Sequence, residues 1–157
     1  MNLEIRQLLM NLDEAYSGSS WHGPNLRGSI RGITSREAAR RPGPGRHNIR
    51  EIVIHAAYWK YAVRRRLRGE KRGTFALKGS NWFVRPGAKG GTTWEEEIRL
   101  LESEHALLRS VIAGTAASGL RLHPGNGRRS AEVLIRGIAA HDVYHAGQIQ
   151  LIKRLMR

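Results

Sequence analysis

The chain has 157 residues, the length of one domain, and 40% of them are hydrophobic, enough to bury a sizeable core. No apolar run reaches the roughly 18 residues of a membrane-spanning helix, and the N-terminus lacks the basic, apolar, small-residue order of a secretory signal, so a cytoplasmic protein is expected. The absence of cysteine excludes disulfide scaffolds, zinc knuckles and cysteine nucleophiles, while 27 Lys+Arg against 13 Asp+Glu give a formal charge of +14 that favours anionic partners.

Ile5, Leu8, Leu9, Leu12 and Tyr16 recur at helical spacing and predict a first helix from about Leu3 to Tyr16, stopping before "SGSS". "NLRGSIRG" and "SREAARR" predict a short helix and one further turn, closed by the breaker "PGPGRH". A second long helix is expected from about Asn48 to Leu67: Asn48 and Glu51 make a capping-box-like start, and Gly69 a stop. Its inward stripe is Ile52, His55, Ala56, Trp59 and Val63. The Gly-rich "GTFALKGSNWFVRPGAKGG" follows, long enough to be either disordered or a lid over a site.

The third long helix starts at Thr93, with Glu96 completing another capping box and "EEE" where the helix dipole favours negative charge. Its stripe is Trp94, Ile98, Leu101, His105, Leu108 and Ile112, and it closes at Gly114. After "GLRLHPGNGR" the fourth begins near Ser130 and carries Leu134, Ile138, His141, His145, Ile149, Ile152 and Met156. Four amphipathic helices without a convincing strand predict an all-α antiparallel bundle, one domain over residues 1–157.

Basic residues cluster only in "RRRLR", the pairs at 40–41 and 128–129, and the C-terminal "KRLMR", and none alternates with aromatics as a single-strand platform would. This reads as a solvated arginine-rich surface, with nucleic-acid binding as the lesser reading.

In "HDVYH", His141 and His145 stand at i and i+4, one turn apart on one helix face, so their imidazoles can address a common point. His55, inward on the second long helix, can supply a third nitrogen and leave a fourth coordination position open, as catalytic metal sites do. Each could instead be an ordinary core histidine bonded to a carbonyl or hydroxyl. Three together need a common partner, because one unsatisfied buried polar group costs about 1–3 kcal/mol. The spacing also matches the H-E-x-x-H skeleton of zincin proteases, with Asp142 in the glutamate's place, but nothing suggests a protease's sheet or peptide cleft. Asp142 could equally lie on the surface or behind a ligand.

"SWHGPNLRGSI", "SREAARRPGPGRHNIREIVIHAAYWKYAVRRRLRG", "NWF" with "TTWEEEIRLLESEHALL", and "IRGIAAHDVYHAGQIQLIKR" resemble the DinB/YfiT-like superfamily over nearly the whole chain. "HAAYW" and "HDVYHAGQI" are the most specific pieces. The resemblance implies an up-down-down-up four-helix bundle with short extra helices, frequent homodimers, and one divalent metal bound by His55, His141 and His145. Zinc, nickel, iron and manganese are not distinguished. Members are often labelled metal-dependent hydrolases; those of known activity include bacillithiol-dependent S-transferases and a mycothiol-dependent isomerase.

Around the three histidines, Gln148 could bond a metal-bound water or ligand or serve as a helix-interface amide. Tyr144 and Trp59 could line a pocket or pack as core, and Glu51 could orient His55 as well as cap its helix. His105 could shuttle protons or be a satisfied core histidine. His22 and Trp82 sit in loops that could cover the metal end, and His47 and His123 look like loop residues. The expected function is a metal-dependent enzyme activating a low-molecular-weight thiol for transfer to a small anionic or electrophilic substrate. The alternatives are hydrolysis by water activated at the same ion, and a non-enzymatic stress-related or nucleic-acid-binding bundle.

Overall fold

The computed structural model describes residues 2–71, 73–83 and 91–156. Its helices are α1 (Leu3–Tyr16), α2 (Leu26–Ser29), α3 (Ser35–Ala39), α4 (Ile49–Leu67), α5 (Trp94–Ala113) and α6 (Ala131–Leu155), with 3-10 turns at Ala117–Arg121 and Pro124–Asn126 before α6. The starts follow the capping chemistry. Asn48 with Glu51 and Thr93 with Glu96 form complete capping boxes on α4 and α5, and Ser130 accepts from the Val133 N–H at the head of α6. Each such cap stabilises its helix by about 1 kcal/mol. Among the described residues there is no strand, and no helix is long and apolar enough to cross a membrane.

Side-chain pairs give the topology. Arg50 meets Glu97 near the start of both helices, and Lys60 and Arg64 reach His105 and Glu104 further along, so α4 and α5 run parallel. α6 opposes α4: His55 meets His141, while Val63 and Arg66 share a cavity wall with Arg129 and Val133. α1 opposes α5 through Asp13–Arg109 and the Tyr16–His105 stack, and Arg121 bridges Glu4 and Glu132, the first turns of α1 and α6. The order is therefore up-down-down-up, as the family resemblance implied, and not the simple antiparallel bundle that periodicity suggested. With α4 and α5 parallel, the chain must regain the length of α4, 19 residues or about 28 Å, and the described residues 73–83 run back along it, from Phe75 beside Tyr61 to Trp82 beside His55.

The core is two apolar clusters. One holds Ile49, Ile54, Trp94, Leu101, Ile149 and Ile152; the other holds Leu9, Leu12, Leu108, Ile112, Leu134 and Ile135. Burying each such side chain contributes about 1.5–3 kcal/mol. The junction between them is polar, carrying His55 and Lys60 from α4, His105 from α5, and His141, Asp142 and His145 from α6. Lys60 and Asp142 are wholly buried and ion-paired, with the Lys60 ammonium 3.4 Å from His105 Nδ1 and 4.9 Å from the Tyr16 ring centre. Burial pushes the lysine down and the aspartate up, each resisted by the other's charge. α4 is buried on every side from Ile49 to Ala57, wider than the stripe its periodicity predicts, because the returning crossover covers a face that two neighbours leave open.

Candidate metal centre

α4 and α6 bring three imidazoles to one point at the polar junction. His141 Nε2 lies 3.1 Å from His55 Nε2 and 3.0 Å from His145 Nε2. Tetrahedral ligands at about 2.0–2.1 Å from a zinc-like ion stand about 3.3 Å apart, so the spacing is close to that of a ligand set.

The outer ring nitrogens decide where the protons are. His55 Nδ1 donates to the Asn81 carbonyl at 2.8 Å, and a carbonyl only accepts. His145 Nδ1 donates to Gln148 Oε1 at 2.7 Å, and the Gln148 amide nitrogen donates in turn to the Tyr144 hydroxyl at 3.0 Å. In the neutral rings, the Nε2 atoms of His55 and His145 are therefore bare lone pairs. At most one proton, from His141, stands among three converging nitrogens. A cation satisfies all three, so the donor set fits a divalent metal, and the group can hold one.

Electrostatics keep the ligands neutral. Burial lowers the His55 pKa; burial, then the neighbouring His145, His55 and Lys60, lower His141 to about 3; burial and His55 lower His145 to about 4. Metal binding at neutral pH then displaces little proton.

Residues from the crossover complete the site. The Trp82 indole stacks on His55 at 3.8 Å and on His47 at 3.7 Å, so the expected covering role of this loop holds for residue 82, while 84–90 lie outside the described residues. Asn81 has φ +60, a left-handed conformation that asparagine tolerates better than most side chains, and its side-chain oxygen accepts from Trp59 Nε1 at 2.9 Å. One residue thus holds both His55 and Trp59. Sequence reasoning missed it, because the bond to His55 comes from a backbone carbonyl. Glu51 is occupied elsewhere, by Arg41 and His47 and in its capping box.

A cavity of about 560 Å³ opens beside the three histidines, lined by His55, His141, Trp59, Val63 and Ile138 among others. Trp59 faces it, as expected of a pocket residue. Tyr144 and Gln148 do not line it: the Tyr144 ring packs 5.1 Å from that of His145 and is 63% exposed. His105 lies apart from the three, stacked on Tyr16 at 3.7 Å and 3.9 Å from Asp13. Asp142 is no surface carboxylate, and its partner is Lys60. His22 and His123 are exposed.

Burial and the charges of Lys60 and Arg109 lower His105 to about 3 as well. His105, His141 and His145 are thus neutral in the folded protein, whereas unfolding returns each to about 6.5, so the unfolded chain binds more protons below that pH. In metal-free protein we expect a denaturation midpoint that is flat above about pH 7 and falls as pH drops from about 6.5 toward 4, each histidine contributing up to about 1.4 kcal/mol per pH unit. A midpoint unchanged down to pH of about 5 would show that these rings are protonated without penalty.

No curated protein and no solved structure matches the chain. A family model does, over residues 20–149, a span that contains His55, His141 and His145 and the elements that position them, so that this chain belongs to the DinB superfamily.

Proposed function

We propose that the protein is a metal-dependent enzyme that transfers the sulfur of a low-molecular-weight thiol to a small electrophile. The observation that carries this is the convergence of three Nε2 atoms beside an apolar-walled cavity. A divalent ion held there supplies Lewis acidity, lowering the pKa of a coordinated thiol or water into the working range. His55, His141 and His145 hold the ion; Asn81 and Gln148 orient two of the rings and raise their basicity. Trp59, Val63, Val133 and Ile138 offer the electrophile an apolar wall. The chain has no thiol of its own, so the sulfur comes from a small molecule.

Hydrolysis at the same site is the second reading. Water on the same ion would lose its proton as readily as a thiol, but hydrolysis of an ester or amide also expels a basic alkoxide or amine that must be protonated; among the described residues no carboxylate lines the cavity, and His105 and Gln148 have partners elsewhere. Sulfur attack on a haloalkane has no such need, since halide leaves without a proton.

The test is metal analysis beside an S-transfer assay with several thiols and a haloalkane or epoxide. Activity that is lost on chelation and restored by metal is expected; activity that survives full metal removal refutes the mechanism, and metal-dependent ester or amide hydrolysis without thiol transfer selects the hydrolase. Gln148→Ala should weaken metal binding by about tenfold and leave turnover largely intact at saturating metal, because its amide bonds the ligand's back and not the substrate. Tyr144, Leu151 and Leu155 expose an apolar strip on α6 that supports a homodimer, which sedimentation velocity on the same sample reads directly.

A further inference from the structure

Most of the chain's carboxylates are already taken. Arg27, Arg41, Arg50, Arg64 and Arg109 each pair with one, and Arg121 with two. The guanidinium groups of Arg66, Arg128 and Arg129 meet none among the described residues, and all three line one recess of about 520 Å³. Arg65 and Lys71 also line it, and Arg65 is held in the wall by bonds to the carbonyls of Glu70 and Lys71 at 2.9 and 2.8 Å. Glu70, the acid in the wall, is paired with Arg68. Arg66, Arg129 and Leu134 belong also to the cavity beside the histidines, so the two spaces adjoin.

Three unpaired guanidinium groups in one concave site exceed what a single carboxylate needs; each fork matches a phosphate or carboxylate through two parallel N–H bonds. We propose that this recess binds the multiply charged oxyanion of a ligand, a phosphate, diphosphate or tricarboxylate group, whose reactive end reaches the histidine centre through the adjoining cavity. The anion site stands on the arginines alone; only the position of the reactive end rests on the function proposed above.

Calorimetric titration of metal-free and zinc-loaded protein with pyrophosphate, tricarballylate and acetate at about 0.15 M ionic strength tests this. Pyrophosphate, tricarballylate or both should bind metal-free protein, acetate should not, and the tighter of the two identifies the ligand's charged group. The double variant Arg66→Gln/Arg129→Gln should weaken that binding by at least about tenfold, because losing a guanidinium partner from an oxyanion removes a charge-assisted pair. The double variant Arg36→Gln/Arg154→Gln, with the same charge change toward the C-terminal end of α6, should not.

Equal loss in both double variants, or no preference over acetate, overturns the proposal. Binding that requires zinc and ignores Arg66 and Arg129 overturns the recess while leaving the metal centre in place. A duplex oligonucleotide that binds more tightly than either small anion overturns it in favour of nucleic acid. Arginine-dependent binding in metal-free protein upholds the anion site even where no thiol transfer is found.

Discussion

His145→Ala loses metal binding by roughly a hundredfold to a thousandfold in a zinc titration against a competing chelator. Four-ligand zinc sites are worth about 10–16 kcal/mol, so one ligand carries about 3–4 kcal/mol, and the two remaining imidazoles also lose the ring that fixes the third direction. The effect should exceed that of Gln148→Ala, which disturbs the same ring only from behind. His22→Ala, an exposed loop histidine, is the control for simple loss of a surface ligand. Wild-type protein should gain thermal stability on adding zinc and His145→Ala should not, since only a ligand that prefers the folded state raises the midpoint. Affinity in His145→Ala within a few-fold of wild type would mean that the three nitrogens do not act as one site.

The other large effect lies in the polar junction. Lys60→Met leaves Asp142 charged and without its partner where both side chains are wholly buried, and should cost about 3–5 kcal/mol, a large fraction of a domain's roughly 5–15 kcal/mol. Asp142→Leu should cost about as much by stranding the ammonium, which His105 and the Tyr16 ring stabilise only in part. The double variant Lys60→Met/Asp142→Leu should recover most of the loss, because an apolar pair of similar volume escapes the desolvation of two charges. Denaturant unfolding of the three variants measures the coupling directly. Additive losses would show that the two groups do not depend on one another.

Helix starts were legible because each is written in a local code: Asn48 with Glu51 and Thr93 with Glu96 fix α4 and α5 within the sequence itself. The three histidines were legible because i and i+4 on one helix share a face, and the third sat on an inward stripe. Lys60 was not, since periodicity assigns a lysine to solvent and its partner Asp142 is far away in the chain. The parallel run of α4 and α5 has no local signature, and periodicity alone gave the wrong relation between them. His105 was read as inward and is buried, but an inward face does not say which neighbour it meets: its contacts are Tyr16, Lys60 and Asp13, apart from the three. Unpaired arginines are invisible in a composition, because only the fold shows which carboxylates have been spent.

The return of the crossover along α4 makes Asn81 a member of two structures at once. Its carbonyl accepts from the back of the His55 imidazole whose Nε2 faces the candidate metal position, so the crossover and an ion held there would act as two effectors of one ring. Reciprocity then follows. By whatever factor a docked crossover raises metal affinity, bound metal raises the preference of the crossover for its docked position by the same factor. Under the function proposed above, a molecule that displaced Asn81 from the cavity wall would loosen the very ion it needs. Discrimination among substrates would then be exerted through the affinity of the centre itself.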